Sequence, residues 1–111
     1  MELKNYFSGV QMPAREVAPG VARKVLAYGE ALMVCELHFQ KGAVGALHAH
    51  PHSQCTYILS GAFEFDIGGE KKILTAGDST YKQPGVLHGA VCLEEGSLLD
   101  IFAPHREDFL I

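Results

Sequence analysis

From Val21 onward no stretch of this chain sustains a helical period. It runs instead in short segments of alternating apolar and polar residues, closed by glycine-bearing turns. VARKVLAY precedes Gly29-Glu30, and ALMVCELHF then places Ala31, Met33, Cys35, Leu37 and Phe39 on one face, the pattern of a strand with one buried side. AFEFDI puts Phe63, Phe65 and Ile67 on one face and Glu64 and Asp66 on the other; Gly68-Gly69 supplies a hairpin turn and EKKILTAGD returns the chain. STYK, HGAVCLEE and SLLDIFAP follow, separated by Gln83-Pro84-Gly85 and Gly96. Segments this short predict an antiparallel all-β fold, a barrel or two-sheet jelly roll of about eight or more strands. At 111 residues the chain is one domain. The expected organisation is an irregular N-terminal arm over residues 1–20, broken by Pro13 and Pro19-Gly20, and a β domain over residues 21–111 ending in the tail HREDFLI. Tyr6 and Phe7 are available to tie the arm onto the domain or onto a second copy.

The chemistry concentrates in His48 to Gly61, HAHPHSQCTYILSG. His48, His50 and Gln54 lie an even number of residues apart, so if the segment stays extended, two imidazoles and an amide oxygen point the same way. Neutral imidazole is the commonest side-chain metal ligand. A later strand carrying His88 behind Pro84-Gly85 can close the site, and the expectation is a metal centre inside a small β-barrel.

Charge and cysteine usage narrow the partners. A net charge of −4 provides no basic stripe for nucleic acid. A cation and a few placed arginines can still make a locally positive pocket for a small anion. No run approaches membrane-spanning length, and MELKNYFSGVQMP lacks an apolar core behind basic residues, so a cytoplasmic protein without nucleic-acid or membrane partners is expected. Cys35, Cys55 and Cys92 are odd in number and show no CxxC pairing, which predicts buried free thiols.

The spacing of these residues resembles the two-part pattern of the cupins. Gly42 is followed after five residues by His48-Ala49-His50, after three more by Gln54 and after six more by Gly61. Fifteen residues on, Gly77 precedes Gln83-Pro84-Gly85 by five residues, and His88 follows two residues later. The resemblance implies a single-domain cupin. Gln54 stands where most cupins place a glutamate ligand, Gln83 takes the usual proline position, and Cys92 stands where asparagine is frequent. A neutral amide in place of a carboxylate leaves a divalent cation its full charge, which weakens metal retention and strengthens attraction for an anionic substrate.

The Gln-type first motif together with the ending LLDIFAPHREDFL resembles, more narrowly, the KdgF pectin-degradation family. That resemblance implies metal ligands His48, His50, Gln54 and His88, and substrate-facing catalytic residues Asp100, Phe102 and Arg106. It implies metal-dependent ring opening and ketonisation of 4,5-unsaturated uronates, small anionic sugars released from pectin or alginate, to the linear 4-deoxy-5-keto product. The cofactor would be a divalent transition metal (Ni, Zn, Fe or Mn). Cupins of this size are often dimers, and a homodimer is expected. The alternatives are a non-haem metal dioxygenase and a non-catalytic uronate- or metal-binding cupin.

Other residues have plainer readings. His52 is expected at the rim without ligating, His38 on the surface, and His105 at a pocket edge or on the surface. Phe65, Met33 and Tyr81 are expected in the core, while Arg106 has Glu107 and Asp108 as ordinary ion-pair partners.

Overall fold

A computed structural model describes residues 3–110. Its ten strands are β1 (Ala14–Ala18), β2 (Val21–Tyr28), β3 (Met33–Phe39), β4 (Val44–His48), β5 (Ser53–Ile58), β6 (Ala62–Ile67), β7 (Glu70–Thr75), β8 (Ser79–Lys82), β9 (His88–Glu94) and β10 (Gly96–Ala103). A 3-10 turn, Glu107–Leu110, closes the tail. Two antiparallel sheets face each other, one in the order β1-β2-β3-β10-β5-β8 and the other β4-β9-β6-β7. The all-β cupin architecture is therefore present. No helix among the described residues is long and apolar enough to cross a membrane.

The alternation in the sequence becomes the inside and outside of this sandwich. On β3, Met33, Cys35 and Phe39 are buried; on β6, Phe63 and Phe65 are. Gly68 and Gly69, at φ +59° and +88°, make the tight β6–β7 hairpin, with positive φ at both central positions. The lower interior holds Val21, Phe39, Ile58, Phe63, Phe65, Cys92 and Leu98, with Phe39 and Phe63 edge to face at 5.2 Å. Full burial of a side chain such as Phe63 is worth about 1.5–3 kcal/mol.

The N-terminal arm is less irregular than expected. Ala14–Ala18 pairs with β2 as an exposed edge strand. Pro13 and Pro19 bracket this strand and leave its interior free to hydrogen-bond. Ahead of it, Phe7 lies 5.3 Å from Tyr28 and Lys24 donates to the Gly9 carbonyl, so the arm docks on its own domain. Tyr6 is exposed.

Strand register sorts the interior into layers. β10 lies between β3 and β5, and its residues alternate in burial from Gly96 to Ala103. One row across the sheet reads Met33, Phe102, Gln54, Lys82; the next reads Cys35, Asp100, Thr56, Thr80; the third reads Leu37, Leu98, Ile58. The polar side chains thus fall in the two upper rows, beside Met33, Cys35 and Phe102, and the bottom row is aliphatic.

Candidate metal centre

The histidines converge by a route other than one extended strand. His48 ends β4 in the smaller sheet, Gln54 lies on β5 in the larger one, and His50 sits in the bend between them. Pro51 has no N–H to donate to a ladder, and here the chain crosses from one sheet to the other. His88 begins β9 directly opposite His48. The β4–β9 pairing slips by one residue between Gly45 and His48, a bulge that re-aims the end of β4. Gly89 permits this close approach, since a Cβ there would lie 2.7 Å from the Gly45 carbonyl oxygen.

Ring centroids lie 4.4 Å apart for His48–His88, 5.0 Å for His50–His88 and 5.5 Å for His48–His50. One nitrogen from each ring falls within 4.8 Å of the others, a grouping that could hold a metal ion. Backbone carbonyls fix two of the tautomers. His48 Nδ1 lies 2.9 Å from the Ala46 oxygen and His88 Nδ1 2.9 Å from the Val86 oxygen. A carbonyl can only accept, so both Nδ1 atoms carry the proton and both Nε2 atoms present a lone pair. His88 Nε2 is buried without a hydrogen-bond partner. An orphaned buried acceptor costs about 1–3 kcal/mol, and a cation receiving the lone pair removes that cost. The donor set therefore fits a divalent transition metal. Burial pushes the His88 imidazole down to about 4 against the opposing pull of the Val86 carbonyl, with lesser help from the charges of His48, Lys82 and His50. Burial also lowers His50. Both rings are thus held neutral, the form that ligates.

Gln54 is buried, and its Oε1 faces His50 Nε2 at 2.8 Å. Its Nε2 turns the other way, 3.5 Å from the Thr56 hydroxyl. The amide oxygen is thereby directed to the histidine side. Asp100, 9% exposed, accepts a 2.6 Å hydrogen bond from that same hydroxyl. His48, Gln54, His88, Thr56, Asp100 and Lys82 all line one cavity of about 100 Å³ between the sheets.

Phe102 is buried beside the histidines, 5.8 Å from His50 and 6.3 Å from His52 between ring centroids. Arg106 lies over Phe102 at 5.2 Å and over Phe109 at 4.2 Å. Its guanidinium forks onto Asp108, Nε to Oδ1 at 3.1 Å and a terminal nitrogen to Oδ2 at 2.9 Å. The ordinary ion pair anticipated for Arg106 is therefore present. That pair holds the Asp108 carboxyl below the usual carboxylate range.

The remaining histidines occupy plainer places. His38 bonds Ser97 and Glu95 on the surface. His105 reaches the Glu30 carbonyl and fastens the tail. His52 stays outside the close group, although its Nδ1 is buried and unpartnered. Tyr81, expected in the core, is 56% exposed and donates to Ser53, because inward positions on β8 fall to Thr80 and Lys82. Cys35 and Cys92 are buried free thiols as expected, whereas Cys55 points from the opposite face of β5 and is only half-buried.

Three participants escaped the sequence reading: Lys82, Thr56 and Phe109. Lys82 is 1% exposed, its ammonium 2.7 Å from Thr56 Oγ1 and 2.8 Å from Thr80 Oγ1. Desolvation lowers its pKa, and the nearby negative charge of Asp100 opposes that shift. The signal was the parity of STYK, which puts a lysine on an inward position beside the motif glutamine. Phe109 stands between the guanidinium groups of Arg23, 3.5 Å from its ring centre, and Arg106.

Residues 35–102 match the cupin domain family. The chain is 43% identical over 110 residues to the pectin degradation protein KdgF of Dickeya dadantii, covering 97% of this chain and all of that one. A cupin from Shewanella frigidimarina superposes with a TM-score of 0.92 at 44% identity, covering 98% of this chain and 99% of the other. KdgF from a Halomonas species superposes at 0.90 with 38% identity, covering 96% and 99%. This chain belongs to the cupins and, within them, to the KdgF pectin degradation family.

Proposed function

We propose that the protein linearises 4,5-unsaturated uronates released from pectin or alginate, converting the cyclic sugar to the open-chain 4-deoxy-5-keto uronate. The observation carrying this reading is one cavity in a KdgF-family chain where ligand-form imidazoles face a buried carboxylate. His48, His50, His88 and the Gln54 amide oxygen would hold a divalent metal. When bound, it would supply Lewis-acid stabilisation of negative charge developing on the substrate's oxygens.

The chain's own residues do the rest. Asp100 takes a proton from a water attacking C5 and delivers it to C4. The hydroxyl left at C5 makes a hemiketal, whose ring bond opens to the ketone. Thr56 occupies Asp100 Oδ1, so Oδ2 is the oxygen assigned to the substrate. Phe102 walls the site against water. Arg106 clamps the substrate carboxylate through two parallel hydrogen bonds, the fork it now gives to Asp108.

The test follows the ultraviolet absorbance of the conjugated double bond in 4,5-unsaturated galacturonate mixed with metal-loaded protein. Loss faster than the spontaneous background, stopped by chelation, is expected. Unchanged absorbance with loaded protein overturns the proposal.

A further inference from the structure

A buried lysine links the metal side of the cavity to the acid. Lys82 has three N–H donors and no acceptor while it is an ammonium. Its surroundings are acceptors: Thr56 Oγ1 at 2.7 Å, Thr80 Oγ1 at 2.8 Å, and the face of the Phe65 ring with its centre 5.1 Å away. Thr56 has a single proton to give. With Lys82 donating to its oxygen, that proton goes to Asp100 Oδ1 at 2.6 Å. The hydroxyl's remaining lone pair faces Gln54 Nε2 at 3.5 Å, a long contact that selects the NH2 end of the amide. Gln54 Oε1 is then the end turned toward His50.

We propose that Lys82 is a positioning residue: through Thr56 it sets the direction of the hydrogen bonds that aim Gln54 Oε1 at the metal and hold Asp100 for proton transfer. The inference rests on the metal-dependent reading above. It follows from side-chain chemistry and register, since Gln54 pairs with Lys82 and Thr56 pairs with both Thr80 and Asp100. With a neutral residue at position 82, only the Asp100 carboxylate would still draw the Thr56 proton, and the hydroxyl, no longer pinned by the ammonium, could swing toward Gln54. The amide could then turn over and present an NH2 group, which cannot ligate.

The test uses Lys82→Met, which keeps the length and removes the donors, and Thr56→Val, which keeps the shape and removes the relay. Each protein is loaded with cobalt(II), and its visible d–d spectrum is compared with wild type. Both variants are expected to show the same displaced spectrum. With unsaturated galacturonate, kcat should fall about ten- to a hundredfold in each while KM changes less than about twofold. Combining the substitutions should cost no more than either alone. A wild-type cobalt spectrum in either variant overturns the proposal, whatever the rate does. A double variant showing the product of the two losses overturns it too, because Lys82 would then act without Thr56. If Lys82→Met does not fold, the Thr56→Val spectrum decides. Wild-type protein that leaves the sugar unchanged defeats the proposed function, while the cobalt spectra still test the role of Lys82.

Discussion

The wall of the cavity carrying His48 and His88 and the wall carrying Gln54, Asp100 and Lys82 satisfy their polar groups in different ways. On the histidine wall, partners come from outside the cavity: the Ala46 and Val86 carbonyls take the Nδ1 protons, leaving Nε2 lone pairs directed inward. On the opposite wall, side chains satisfy one another, with Thr56 at the centre of Lys82, Gln54 and Asp100. One wall is short of a positive charge; the other carries both signs already. A cation would complete the first, whereas the second is organised before anything binds.

Breaking the histidine wall should have the largest effect. His48 is exposed, so His48→Ala leaves the core alone. It is expected to lose bound metal and turnover together, read by metal analysis and the ultraviolet assay; retention of stoichiometric metal would remove His48 from the ligand set. On the other wall, Asp100→Asn should keep the metal and lose turnover by a factor of about 10² to 10⁴, the usual contribution of a positioned acid or base. Wild-type rate in that variant would take Asp100 out of the chemistry. The two variants thus separate the walls by metal content at similar loss of activity.

Beyond the two walls the expected effects are smaller. Arg106→Lys keeps the charge and loses the fork, so KM should rise about tenfold with kcat little changed. An unchanged KM would mean that Arg106 serves only Asp108. The smallest effect concerns the thiols, of which Cys35 lies beside Asp100. Burial, reinforced by the charge of Asp100, pushes the Cys35 thiol up to about 12, and burial raises Cys92 as well. A thiol reagent should label half-buried Cys55 first and reach Cys35 only on unfolding, with peptide mapping as the readout. Early labelling of Cys35 would show that the wall opens in the native state.

Much of the fold was legible because alternation is a local property. Met33, Cys35 and Phe39 on β3, and Asp100 and Phe102 on β10, fall on inward faces as their parity required. The grouping of His48, His50 and His88 was legible too, but its assumed cause was incomplete. Parity along one strand did not gather them; a crossing at Pro51, a bulge after Gly45 and the pairing of β4 with β9 did. Ala14–Ala18 looked irregular because its flanking prolines are visible in sequence, whereas the β2 edge that pairs it is not.

By itself, then, the sequence determined the strands, their inward faces, the turns, and the residue types able to bind a metal, all consequences of period and spacing along the chain. Tertiary structure decided which of those residues meet. Lys82 is a residue type that ordinarily stays in solvent, and it is buried because β8 pairs with β5 in the register that sets it beside Gln54. Hydrogen-bond direction, tautomer and desolvation depend on neighbours distant in the chain, so they exist only once the two sheets have closed on each other.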